Sequence, residues 1–155
     1  MKKWTLTLLM ALAAAVACGQ SSARDEIVAY LQAEGYVPTV DDDGDILFKI
    51  EGKAYYISSE YDEDYELYYI KLFMNLYSDD VTMERALVSC NAINQGYKLI
   101  RCYAVQDTGG TEGRIYYSVS AASFVKSAKE FLQSYPWMLS CVQTGREKLI
   151  DELND

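Results

Sequence analysis

The chain has 155 residues with 14 basic and 23 acidic side chains, a formal net charge of −9, and no histidine. Binding of nucleic acid depends on lysine and arginine at phosphates, so an acidic surface argues against a nucleic-acid partner. The absence of histidine removes the commonest general base and the commonest metal ligand. The composition therefore favours one domain that is not an enzyme and that holds no metal or cofactor.

Residues 1–19 have the pattern of a secretory signal peptide. A basic start is followed by the apolar run Trp4–Ala14 and the small residues Ala15–Cys18. The apolar run is shorter than the ~20 residues that a stable membrane span needs. We therefore expect an exported protein, located in the periplasm or attached to a bacterial envelope.

Cys18 is the candidate site for a lipid anchor. It stands where a bacterial lipoprotein carries its lipid, and a small Gly19 follows it. The strongest form of that processing motif has leucine where Ala15 stands, so ordinary cleavage after Ala17 or Gly19 is the alternative. The sequence predicts either a lipoprotein cleaved before Cys18 or a free periplasmic domain, and membrane contact only through the lipid.

Three further cysteines, Cys90, Cys102 and Cys141, follow in the mature chain. Because their number is odd, at most one internal disulfide can form among them. Free cysteines usually behave as small buried hydrophobes. Their spacing does not fit a zinc site.

The first half of the mature chain reads as one helix followed by strands. Apolar residues at helical spacing predict a helix from Arg24 to Glu34, opened by Ser22 and ended by Gly35. Alternating segments then predict two hairpins with turns at Asp41–Asp45 and Glu51–Lys53.

An acidic loop is expected over Ser58–Glu66, and a further strand over Leu67–Tyr77. These segments complete an antiparallel meander of three or four strands. Asp79 or Asp80 is expected to cap a second helix that ends near Gly96. The residues predicted to line its buried side are Met83, Leu87, Cys90 and Ile93.

The remaining segments predict a hairpin and a last helix. The hairpin has strands over Lys98–Gln106 and Arg114–Ser120 and a glycine-rich loop over Asp107–Gly113. The last helix is expected to be interrupted or restarted at Pro136. The residues predicted to share one face of it are Phe124, Ala128, Phe131, Leu132 and Tyr135. The order α-βββ(β)-α-ββ-α predicts an α+β fold in which one antiparallel sheet packs against helices.

Two acidic motifs have both a functional and a structural interpretation. Asp41, Asp43 and Asp45 have the 1-3-5 spacing of a calcium loop, but Ile46 and Gly52 stand where that loop needs glycine and glutamate. We therefore expect a hairpin turn with weak, adventitious calcium binding at most.

The acidic clusters Asp62–Asp64 and Asp79–Asp80 could supply the paired carboxylates of a small envelope hydrolase. We interpret them instead as a loop and a helix cap. Gly109–Gly113 lacks the following lysine and hydroxyl residue of a phosphate-binding loop, so we interpret it as a flexible hairpin connection.

The tyrosines give the most informative pattern for function. The chain has 14 of them, and the adjacent pairs in the meander must point to opposite faces of their strands. One member of each pair can then pack under the helices and the other can lie on an open face suited to a protein partner or a second copy. The residues proposed for this interaction surface are Tyr55, Tyr56, Tyr68 and Tyr69.

Several short motifs across Arg24–Leu153 resemble those of the YbjN-like family of proposed bacterial sensory-transduction regulators, whose fold is like that of type III secretion chaperones. The residues that carry the resemblance are Tyr30-Leu31, Gly35-Tyr36, Asp43-Gly44-Asp45-Ile46, Phe48, Glu51-Gly52-Lys53, Asn91, Asn94, Lys98 and the Phe124–Leu132 segment.

The resemblance implies a small non-enzymatic α+β module that binds proteins, often as a dimer, in regulation or chaperoning. It brings no catalytic residues with it. Secretion chaperones of this fold act in the cytoplasm, whereas residues 1–19 predict export. The sequence therefore favours a binding module of the cell envelope, with a periplasmic chaperone-like protein as an alternative.

Overall fold

The computed structural model describes residues 23–78, 80–106 and 114–154. These residues form an α+β structure, so the predicted fold class is confirmed. The predicted signal peptide, Cys18, Asp79 and the glycine-rich connection at 107–113 lie outside the described residues. The helices within them are α1 over 23–33, α2 over Met83–Gly96 and α3 over Ala128–Asn154.

A single antiparallel sheet of six strands forms the other layer. Its spatial order is β1-β2-β3-β4-β6-β5, so β6 lies between β4 and β5, and β5 is an edge strand. The strands are β1 (Thr39–Val40), β2 (Ile46–Ile50), β3 (Lys53–Asp62), β4 (Leu67–Ser78), β5 (Arg101–Gln106) and β6 (Ile115–Val125).

The helices pack on one face of this sheet, here called the covered face. Side chains alternate along each strand, so every second residue points into the core. Ile27 and Leu31 of α1 and Phe131 and Val142 of α3 share this core with the inward-facing strand residues. A cluster of rings lies within it, in which Phe48 stacks on Tyr55 with centroids 5.7 Å apart.

Both predicted hairpin turns are present and depend on glycine. Gly44 and Gly52 have φ values of +86° and +79°, a left-handed conformation that glycine adopts without steric cost. Gly35 also has a positive φ, of +88°, two residues after the last residue of α1, in the turn that ends the helix as predicted.

The segment Ser58–Asp62, expected as part of an acidic loop, instead continues β3. Ser58 pairs with Lys71 and Asp62 pairs with Leu67 on β4, so the connecting turn is confined to residues 63–66. Pairing with a long neighbouring strand explains the extension, because each added residue gains a ladder partner on β4.

The start and the buried side of α2 also differ from expectation. Thr82 caps the helix, since its Oγ1 accepts a hydrogen bond from the Arg85 amide at 3.3 Å. Asp80 lies in an exposed bend before this cap. Leu87 is 53% exposed, because the side of α2 that faces the sheet is the one carrying Ala86, Cys90 and Ile93.

The last helix was predicted too early and with an interruption that the structure does not contain. Phe124 belongs to β6, and α3 starts at Ala128, where the Glu130 amide donates to Ser127 Oγ at 3.3 Å. Pro136 lies inside a continuous helix. Buried residues on both sides of the proline, among them Phe131 and Met138, hold the helix against the sheet despite the lost amide donor.

Among the residues that the structure describes, no helix combines the length and the apolar character needed to cross a bilayer.

Candidate functional site

The face of the sheet opposite the helices is the candidate functional site, and we call it the open face. No described helix covers it. It includes Leu47 and Lys49 on β2, Asp62 on β3 and further outward-pointing residues of β3, β4, β6 and β5. These further residues are Tyr56, Ser58, Glu60, Tyr69, Lys71, Phe73, Asn75, Tyr77, Tyr116, Ser118, Ser120, Ala122, Phe124, Arg101, Tyr103 and Val105.

Aromatic rings on the open face pair across neighbouring strands. Tyr56 stacks on Phe73 with centroids 5.2 Å apart, and the two residues are direct ladder partners. Tyr69 and Phe124 are also direct ladder partners, and their rings are tilted by 45° with centroids 5.1 Å apart. Such pairs contribute roughly 0.5–1.5 kcal/mol beyond area burial, so the rings stiffen the face without a covering helix.

A second group of rings lies nearer the edge strand. Tyr116 contacts Tyr77 edge-on at 5.4 Å and Tyr103 at 6.3 Å. Burial, followed by proximity to Tyr103, raises the pKa of Tyr116. The Tyr116 side chain is also hydrogen bonded to Tyr103, so it links β6 to β5 within the face.

Much of this aromatic surface is accessible to solvent. Tyr77, Tyr103 and Val105 are 46% to 50% exposed and adjoin one another around Tyr116 on β4, β5 and β6. Phe124 is 66% exposed and lies against Tyr69, toward the other end of the face. Large exposed apolar side chains that adjoin one another are a feature of interaction sites.

Basic side chains accompany the rings. Lys49, Lys71 and Arg101 point to the open face, and Lys71 Nζ lies 4.4 Å from the centroid of the Phe73 ring. Glu60 and Asp62 supply acids toward one end of β3. The face therefore carries both cations and acids, in a chain with 14 basic and 23 acidic residues.

The four tyrosines predicted as an interaction surface are divided between the two faces. Tyr56 and Tyr69 lie on the open face. Tyr55 is 1% exposed in the core against Phe48, so its inclusion in a surface is corrected. Tyr68 is half-buried on the covered face, where burial and the neighbouring Tyr61 raise its pKa.

The sequence prediction did not include the contribution of the second hairpin to this face. Tyr103, Tyr116 and Phe124 extend the aromatic surface beyond β4. The alternation of Tyr103 with buried Cys102 and Ala104 was a usable signal for an outward position. Its proximity to the meander depends on the sheet order, which the alternation does not give.

The acids with calcium-loop spacing form a hydrogen-bonded turn. Asp41 Oδ1 accepts hydrogen bonds from the amides of Asp43 at 3.1 Å and Asp45 at 2.9 Å. One carboxylate oxygen is thus engaged by the backbone. Across the described parts of the chain, no three acid, cysteine or histidine residues are grouped as metal ligands.

The acidic clusters considered for a hydrolase lie far apart. Asp62 is next to the start of β4, whereas Asp80 follows its end at Ser78. Twelve strand residues at about 3.3 Å each separate these ends by on the order of 35 Å, while glycosidase carboxylates are about 5–10 Å apart. Asp62 Oδ1 also accepts from the Asp64 amide at 3.0 Å, which makes it a turn residue.

Of the comparisons with known proteins, the one with solved structures found a protein of similar fold. No protein-family model and no curated relative matches the chain. The structure is similar to that of YbjN from E. coli, a proposed transcription regulator. The TM-score is 0.55, the sequence identity is 9%, and the match covers 79% of this chain and 86% of YbjN. At this identity the similarity shows a shared YbjN-like α+β fold.

Proposed function

We propose that this chain is an exported, non-enzymatic binding module of a regulatory kind, which binds a protein partner in the cell envelope through the open face. One observation carries the proposal: a sheet face that no described helix covers exposes apolar side chains toward both ends, Tyr77, Tyr103 and Val105 at one end and Phe124 at the other. The fold similarity to YbjN supports a regulatory binding role. The pattern of residues 1–19 supports export.

Charge indicates what the partner presents to this face. Lys49, Lys71 and Arg101 border the rings, whereas the chain as a whole is acidic. A partner surface with apolar side chains flanked by carboxylates would complement both features. Charge complementarity of this kind chiefly affects the association rate and the choice of partner, so binding should weaken as salt increases.

The test is affinity capture from envelope extract with the tagged full-length chain. Replacing Tyr103 and Phe124 together by serine should lower recovery of the captured protein at least tenfold, because two apolar contacts are lost. Trp137→Ser is the matched control, since Trp137 is 51% exposed on α3 in the opposite layer. Lys71→Glu should weaken capture and reduce its dependence on salt.

The outcomes distinguish this proposal from its alternatives. Equal loss with Trp137→Ser would move the binding surface to the helical layer. A wild-type dimer that becomes monomeric in the Tyr103/Phe124 variant, measured by sedimentation, would make a second copy the occupant of the face. Retention of many unrelated unfolded proteins would favour a chaperone-like function.

The envelope location has its own test. We expect the mature protein from membrane and soluble fractions to begin at or near Cys18, with or without a lipid. Intact mass of both fractions would identify the cleavage site and the lipid together. An unprocessed chain carrying residues 1–19 would overturn the export proposal.

A further inference from the structure

Two buried cysteines lie side by side between α2 and the edge strand β5. The Sγ atoms of Cys90 and Cys102 are 2.8 Å apart, and both residues belong to the hydrophobic core. A disulfide bond is about 2.05 Å long, so less than ~1 Å of sulfur movement would join them. The binding function proposed above makes no use of this pair.

The side chain of Asn94 holds the backbone of Cys102 in this position. Asn94 Nδ2 donates to the Cys102 carbonyl at 2.9 Å, and the Cys102 amide donates to Asn94 Oδ1 at 2.8 Å. Asn94 lies one helical turn after Cys90, so both residues project from the same side of α2. The two hydrogen bonds pair the Cys102 amide and carbonyl on the free edge of β5. They also keep the two sulfurs facing each other.

We propose that Cys90 and Cys102 form a disulfide in the mature protein, which links α2 covalently to the edge strand that carries Tyr103 and Val105 of the open face. Cys141 is left as the unpaired cysteine of the three. The inference rests on the proposed export, because an exported protein meets an oxidising compartment in which such a bond persists.

The bond can form by exchange with a small disulfide such as oxidised glutathione. The Cys90 thiolate attacks one glutathione sulfur, forms a mixed disulfide and releases one glutathione thiolate. The Cys102 thiolate then attacks the Cys90 sulfur and releases the second. Two cysteines are oxidised, one glutathione disulfide is reduced, and the two cysteine protons end on the glutathione thiols.

The contact between the thiols makes them unequal in the folded protein. The hydrogen bond from Cys102 lowers the pKa of Cys90, while the same hydrogen bond and burial raise the pKa of Cys102. Once the two thiols are in contact in the folded protein, Cys90 is therefore the one that ionises more readily. Because both side chains are buried, the reagent must reach them before the edge closes over them, during folding.

The experiment is to unfold the full chain, refold it with oxidised glutathione, alkylate the remaining thiols in denaturant and map the peptides by mass. We expect a linked Cys90–Cys102 peptide pair, with Cys18 and Cys141 alkylated. We also expect the oxidised protein to melt roughly 5–10 °C above the reduced protein, because the bond limits the unfolded chain.

Two variants complete the test. Cys141→Ser should preserve both the linkage and the melting difference, whereas replacing Cys90 and Cys102 together by alanine should abolish the difference. Alkylation of both Cys90 and Cys102 after oxidative refolding would overturn the proposal, as would a bond from either of them to Cys141. The wild-type peptide map decides the matter even where a variant fails to fold.

Discussion

The covered face and the open face of the sheet take aromatic side chains from the same strands and use them differently. Tyr55 and Tyr56 are adjacent on β3. Tyr55 is buried against Phe48 beneath the helices, while Tyr56 stacks on Phe73 with no described helix above it. One ring therefore belongs to the core, and the other belongs to a surface that its cross-strand partner stiffens.

Both faces contain aromatic residues, so the difference between the two faces lies in their other residues. The inward positions of the central strands are aliphatic, such as Ile57, Leu72 and Val119. The neighbouring outward positions include Lys71 and Arg101. A face that mixes rings with cations can remain in water and still bind a partner, whereas the aliphatic face must be covered.

The largest expected effect tests this comparison at the adjacent tyrosines. Tyr55→Ala should lower the free energy of unfolding by about 3–5 kcal/mol, because it removes a fully buried ring from the core. Tyr56→Ala should cost only about 1 kcal/mol, the contribution of a partly exposed ring pair. Urea unfolding of both variants measures the difference. Equal losses would mean that the open face is as buried in solution as the core.

A smaller effect is expected where α3 approaches the covered face. A Cβ at Gly145 would lie 2.7 Å from Val119 Cγ1 and 2.8 Å from Ile100 Cγ2. Gly145→Ala should therefore cost about 1–3 kcal/mol through overpacking, despite the better helix propensity of alanine. The control is Gly96→Ala at the end of α2, where a Cβ meets no atom within 4 Å. If both substitutions stabilise the protein, α3 does not pack this closely on β6.

The parts of the fold that local chemistry determines could be predicted from the sequence. Gly44 and Gly52 mark the two tight turns by their positive φ values, and the hairpins follow from them. The end of β6 could not be predicted in this way. Val125 pairs with Tyr68, so the length of β4 determines how far β6 continues and why Phe124 is a strand residue.

The candidate site was predictable to a similar extent. Alternation predicts that one tyrosine of each adjacent pair points outward, and Tyr56 and Tyr69 do so. Assigning Tyr103 and Phe124 to the same face as Tyr56 and Tyr69 requires the sheet order, in which β6 lies between β4 and β5. Likewise, Met83 and Leu87 have helical spacing, but the position of the sheet decides which side of α2 is buried.

The smallest expected effect on stability is at Asp45, a turn residue that interacts electrostatically with Lys71 and Glu60 of the open face. Desolvation, followed by repulsion from Asp41, raises the pKa of Asp45, with Lys71 opposing the shift and Asp43 and Glu60 adding to it. The folded state therefore binds this proton more tightly than the unfolded state. The protonated Asp45 therefore adds to the free energy of unfolding at low pH. This contribution is lost as the pH rises from the ordinary aspartate pKa of about 4 through the raised value.

Asp45→Asn removes that charge and should raise the melting temperature at pH 7 by at most a few degrees. The gain should disappear near pH 3, where Asp45 is protonated in both states. Asp42→Asn, which removes a carboxylate at an exposed position in the same turn, is the control. Thermal unfolding at pH 7 and pH 3 measures the change in melting temperature of each variant. An equal gain in melting temperature at both pH values would mean that the amide acts through new hydrogen bonds. Desolvation of the Asp45 carboxylate would then not limit stability.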